Sequence, residues 1–136
     1  MTTEGGCYCG ALRYLIEGKP IVSGQCHCRE CQYISGGAPH LFLLMAEDGF
    51  AYTIGEPKLF QRSDLEAPVT REFCGTCGTH VATRLKERSQ IVLKIGTLDD
   101  PTAFGNPQIA IYTCDKQPFH MVPEGMPAFE TLPPEG

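Results

Sequence analysis

The sequence predicts a mainly β fold, stapled by metal and completed by short helical turns, on three observations. Short β-rich runs recur along the chain between turn signals built from Gly, Pro, Asp and Asn. Seven of the eight cysteines stand in pairs or a triplet at metal-ligand spacing. The chain has 136 residues, 42% of them hydrophobic and 20% charged, which marks it as globular and the size of one domain, residues 1–136. A domain of that size builds a core yet still profits from metal staples.

Taken in order, Ala11 to Glu17 is short, β-rich and bounded by Gly10 and Gly18, and reads as a strand. Ile21 to Gln25 reads as a second and leads straight into a cysteine cluster. A helical turn is expected over Arg29–Ser35, because Cys28 and Cys31 need the chain to fold back. Leu41 to Met45 is an apolar run with little periodicity, and its length after Gly-Gly-Ala-Pro favours a buried strand. Further strands are expected at Lys58–Gln61, Thr70–Phe73, Val81–Leu85, Gln90–Ile95 and Ile109–Tyr112. The tail from Gln117 to Gly136 carries five prolines together with Phe119, Met121, Val122, Met126 and Phe129. So many apolar side chains suit an extended segment packed on the sheet better than a free linker.

The cysteines carry the chemistry. Cys26, Cys28 and Cys31 crowd into QCHCREC, and three protein ligands leave the fourth tetrahedral position of a zinc ion free for water or substrate. Cys74 and Cys77, in CGTCG, have the form of a zinc knuckle, with Gly75 and Gly78 expected to supply left-handed backbone. Cys7 and Cys9 form a second hook, since residues two apart in extended chain project to one side. Divided as four plus three, the cysteines imply one closed site and one open site. Sequence leaves two points open. His40, His80 or His120 could close the triplet, and Cys7, Cys9, Cys26 and Cys28 could instead share one ion.

Charge excludes one class of partner. The formal net charge is −5, thiolate–zinc sites would make it more negative, and the basic residues are scattered, so nucleic acid is not expected. No apolar run reaches the ~18–20 residues that span a bilayer, so no membrane is expected either. MTTEGGCYCG lacks the basic start and apolar stretch of an export signal, which places the cysteines in a reducing cytoplasm, bound to metal rather than paired as disulfides.

GGCYCGALRY, CHCRECQYISGGAP, GEPKLFQ, REFCGTCGT, IGTLDDP and PFHMVPEGMPAFE, in that order, resemble the glutathione-dependent formaldehyde-activating enzyme family over nearly the whole chain. The resemblance implies a coiled antiparallel β fold built around zinc, related to type B methionine sulfoxide reductases and a small Rab-binding chaperone. It implies a structural zinc at Cys7, Cys9, Cys74 and Cys77 and a catalytic zinc at Cys26, Cys28 and Cys31. Its reaction joins a small thiol such as glutathione to an aldehyde, or reverses that step, as a carbon–sulfur lyase. One departure is Phe119, where the family commonly has Trp.

Within that reading, Arg29, Arg62, Arg71 and Arg84 are candidate cations for glutathione's carboxylates, each with a plain surface role as the alternative. His27 is expected to turn away from the metal, Glu30 to relay protons or sit exposed, and His120 to cap the pocket or pack. Cys114 reads most simply as a buried core thiol and, more sharply, as a redox nucleophile. Two functions from other classes stand beside the lyase: a zinc-stabilised binding or scaffold protein, and a reductase centred on Cys114.

Overall fold

The computed structural model describes residues 2–134. Ten strands are found among them: β1 (Thr2–Gly6), β2 (Arg13–Glu17), β3 (Val22–Cys26), β4 (His40–Ala46), β5 (Phe50–Ile54), β6 (Lys58–Phe60), β7 (Thr70–Phe73), β8 (His80–Leu85), β9 (Gln90–Lys94) and β10 (Ile109–Ile111), with one helix, α1 (Arg29–Ser35). Short 3-10 turns fill several of the connections. The strands make a three-stranded sheet, β1-β2-β5, and a seven-stranded sheet, β10-β3-β4-β9-β8-β7-β6. Neighbours are antiparallel except β10 and β3, which run parallel. Among the described residues no helix is long and apolar enough to cross a membrane.

The core lies between the sheets. Tyr14, Ile16 and Phe50 of the small sheet pack with Leu43, Met45, Ile91 and Leu93 of the large one. Burying an aliphatic side chain of this size contributes about 1.5–3 kcal/mol. Strand β4 is apolar on both faces, which explains its weak periodicity: Leu43 and Met45 enter the core, while Phe42 and Leu44 join a second cluster on the opposite face.

Two strands escape the sequence reading. β1 is polar and glycine-rich, and it pairs with β2 from Thr2↔Glu17 to Gly6↔Arg13. Its glycines are there for close approach, since a Cβ on Gly5 would meet Thr97 O at 2.2 Å and the Tyr14 hydroxyl at 2.4 Å. β5 has a readable alternation, with Phe50 and Tyr52 in edge-to-face contact at 5.0 Å. The tail runs beside β10: Phe129 N donates to Ala110 O (2.9 Å), Ala110 N to Pro127 O (3.0 Å) and Tyr112 N to Thr131 O (3.0 Å). The tail's last two residues, Glu135 and Gly136, lie outside the described residues.

Candidate metal centres and the cavity between them and the sheet

The two hooks meet. Cys7 and Cys9 lie in the turn between β1 and β2, Cys74 and Cys77 in the turn between β7 and β8, and all four sulfurs lie within 4.8 Å of one another. Cys9 Sγ stands 3.7 Å from Cys74 Sγ, a contact between residues 65 positions apart in the chain. Backbone N–H groups converge on the sulfurs: Leu12 N donates to Cys7 Sγ (3.2 Å), Thr76 N to Cys74 Sγ (3.3 Å) and Cys77 N to Cys74 Sγ (3.4 Å). These donors favour thiolate. The Thr79 hydroxyl lies 3.1 Å from Cys77 Sγ and accepts from Tyr8 N (3.2 Å), so it ties one hook to the other. That bond is the main reason the Cys77 thiol is pulled down to about 5. Gly78 has φ +78, as the knuckle requires, whereas Gly75 is not left-handed; a Cβ there would meet Lys58 Cγ at 2.9 Å.

The triplet forms locally. β3 delivers Cys26, and Cys28 caps α1, its sulfur accepting from Cys31 N (3.4 Å). The three sulfurs lie within 4.8 Å of one another, and no histidine joins that group among the described residues. Each sulfur sits against two others, so one ionises first. Hydrogen bonds from Cys26 and Cys31 pull the Cys28 thiol down to about 2, and the bond to Cys28 pushes Cys26 up. An all-sulfur donor set of this compactness suits zinc in both clusters.

Beside the triplet opens a cavity of about 490 Å³, lined by both Cys26 and Cys31. Its floor is the face of the large sheet turned away from the core. The register explains why: Ile109↔Gly24↔Phe42↔Lys94 form one row across the sheet and Val22↔Leu44↔Val92↔Thr83↔Arg71 the next. Directly paired residues share a face, so each row presents its side chains together. Cys26 pairs with His40 in the adjoining row. Gly24 leaves room for the Phe42 ring, since a Cβ there would meet Phe42 Cζ at 2.9 Å. Leu132 and Pro134 of the tail form part of the wall.

Three polar groups of this face matter. Lys94 is 7% exposed and donates from Nζ to Thr83 Oγ1 (3.1 Å). Burial pushes it down to about 8, while Cys31, Cys26 and Cys28 favour its charged form. His40 is equally buried, and its Nε2 has no hydrogen-bond partner among the described residues. Burial, helped by the Lys94 charge, pushes His40 down to about 2 and keeps the ring neutral. Arg71 pairs with Glu30 (3.1 Å) and also lines the cavity.

The remaining candidates divide. Arg62 binds Asp64 and Glu30, Arg84 binds Glu72 (2.7 Å) on the core side, and Arg29 lies over the Tyr33 ring. None of these three lines the cavity. His27 is fully buried, bonded to Gln25 Oε1 (3.0 Å) and close to His120 Nδ1 (3.2 Å), and His120 Nε2 reaches Gly37 O (2.7 Å). His80 stacks on Phe73. Cys114 is exposed, contrary to the expectation of a core thiol. Tyr112, at φ +55, turns the chain out of β10 just before it. Sequence reasoning missed Lys94 and Thr79. Lys94 had a signal, a lone cation inside the apolar run Ile91-Val92-Leu93-Lys94-Ile95.

Fold and site together define a two-sheet β protein with two cysteine clusters able to hold metal, one of them opening on a cavity. Residues 2–115 match the family model described as glutathione-dependent formaldehyde-activating enzyme, and the chain belongs to that family. A Halomonas elongata protein bearing the same family name is 27% identical over 84 residues, 58% of this chain. The match takes in 54% of that protein, so the chain spans about half the length of the curated relative it matches. A crystal structure of a Rhodobacter sphaeroides protein shares the fold, with a TM-score of 0.57 and 20% identity, covering 76% of this chain and 96% of that one.

Proposed function

We propose that the protein is a zinc-dependent carbon–sulfur lyase that joins a small thiol, such as glutathione, to an aldehyde, or parts the adduct, at Cys26, Cys28 and Cys31. The observation that carries this reading is the triplet: three sulfurs in one group with no fourth ligand among the described residues, two of them on the wall of a cavity. Cys7, Cys9, Cys74 and Cys77 would hold a second, structural zinc, whose four-sulfur set leaves no position for substrate. Eight free thiols suit a reducing cytoplasm, the proposed location.

Bound at the triplet, zinc would lower the pKa of an incoming thiol and hold it as a thiolate. The chain's residues prepare the rest. Lys94 offsets the negative charge of the thiolates from beneath. Neutral His40, with its free Nε2, lies on the wall where a carbonyl oxygen gaining charge would need a donor. Arg71, already held by Glu30 and near Thr83 (3.4 Å), offers a cation to a substrate carboxylate. A substrate seated on the apolar floor would exclude water from the thiolate.

Cobalt substitution tests the reading, because charge-transfer bands report each Co–S bond. Glutathione should strengthen those bands in the native protein, more so as pH rises and the thiol ionises, and should not do so in Cys28→Ala. A spectrum indifferent to glutathione and to other small thiols would sink the thiol-binding mechanism and leave a zinc-stabilised scaffold.

A further inference from the structure

The cavity's floor is far less polar than a thiol such as glutathione and a one-carbon aldehyde need. At about 490 Å³ the cavity falls within the range of drug-sized ligand sites, about 300–1,000 Å³. Val22, Phe42, Leu44, Val92, Ile109 and Ile111 line it, and all but Phe42 are only partly buried. Their side chains stand on the sheet face turned away from β1, β2 and β5, where Leu132, Pro133 and Pro134 of the tail wall the cavity. An apolar concavity of that size is stabilised when hydrocarbon fills it.

Beside Cys26 and Cys31, the polar residues of its lining are Glu30, His40, Arg71, Thr83, Arg88 and Lys94. Lys94 and His40 are both more than nine-tenths buried, and His40 Nε2 has no hydrogen-bond partner among the described residues. Cys26 and His40 are directly paired across β3 and β4, so that nitrogen and the sulfur cluster share one end of the cavity. From there the floor runs over Phe42, Leu44, Ile109 and Val92, with Lys94, Thr83 and Arg71 continuing the same rows toward β7. A ligand reacting at the sulfurs and hydrogen-bonding near His40 therefore extends its remainder over an apolar floor.

We propose that the cavity selects adducts of a thiol with an apolar aldehyde bearing several carbons or a ring, with Phe42, Leu44 and Val92 setting that preference. This rests on the lyase reading and names the substrate class of the same site. The step balances without an oxidant: the S–H bond and the carbonyl π bond break, S–C and O–H bonds form, and the thiol proton ends on the former carbonyl oxygen. His40 receives the new hydroxyl, and the aldehyde's hydrocarbon lies along Phe42 and Val92.

The test is calorimetric titration of zinc-loaded protein with non-reactive S-methyl-, S-butyl- and S-hexylglutathione, beside NMR rates of adduct formation from glutathione with formaldehyde and with hexanal. Affinity should rise about two- to fourfold per methylene, as burial of a CH₂ implies. Val92→Asp should flatten that gradient across the three ligands. Equal affinities across the native series, or no binding of any member, overturns the inference whatever the variant does. The two readings fail separately. Turnover of formaldehyde with no chain-length gradient overturns only the substrate class. A gradient with no turnover of either aldehyde overturns the lyase and leaves an apolar-ligand site.

Discussion

Removing one sulfur from each cluster should have very different consequences, and the structure sets the sizes. Cys74 is 2% exposed, belongs to the main core cluster and accepts from two backbone N–H groups. Its cluster joins the turn after β1 to the turn after β7, so a metal there closes a long loop between the two sheets. Structural zinc in small modules contributes on the order of 10 kcal/mol to folding, against a whole-domain stability of about 5–15 kcal/mol. Cys74→Ala should therefore abolish cooperative unfolding and lose zinc. Cys28 is half-buried, and its structural work is one N-terminal cap on α1. The triplet spans six successive residues, so a metal there restrains little beyond local chain. Loss of a cap costs about 1 kcal/mol. At roughly 2.1 cal/mol/K per residue, that is a drop of about 3–4 °C in Tm for a chain of this length. Differential scanning calorimetry with elemental analysis reads both: Cys28→Ala should keep one zinc and a sharp transition. Equal collapse of the two variants would refute the division into a structural and an open site.

Acid should weaken the fold through its buried imidazoles. Burial lowers the folded-state pKa of His40 to about 2 and also depresses His27 and His80. Below the ordinary value near 6.5 the unfolded chain then binds more protons than the folded one, so stability falls as pH drops, by up to about 1.4 kcal/mol per unit for His40. Urea melts at pH 7 and pH 5 should show a smaller loss for His40→Phe than for the native chain, and identical losses would dismiss the argument. In the knuckle, Gly78→Ala should cost about 1–2 kcal/mol from its positive φ alone, since nothing lies within 4 Å of the new Cβ. Gly75→Ala meets only the flexible Lys58 side chain and should cost clearly less; the reverse order in denaturant midpoints would contradict the backbone assignment.

What the sequence made legible follows from how local each signal is. Spacing alone identified the seven clustered cysteines, because two- and three-residue hooks depend on short-range geometry, and α1 followed from the return between Cys28 and Cys31. Strands with apolar content were legible for the same reason, β5 excepted despite its alternation. β1 was not, since its glycines answer to Tyr14 and Thr97, partners that only the folded sheet brings near. The cavity was hidden by register: Phe42 and Leu44 look like core residues until β4 is seen to pair Leu44 with Val92, and Phe42 with Lys94, on the face turned away from the core. Cys114 looked apolar in IYTC, and the turn at Tyr112 reverses that.

The 65 positions between Cys9 and Cys74 also impose a clock. A ribosome adding about 5–20 residues per second needs about 3–13 s to pass from the first hook to the second. Throughout that interval Cys7 and Cys9 lack Cys74 and Cys77, their partners in the fold, whereas Cys26, Cys28 and Cys31 emerge together. The nascent chain thus presents a complete three-sulfur trap before the four-sulfur clasp exists. The clasp itself can form only after the second hook has been made.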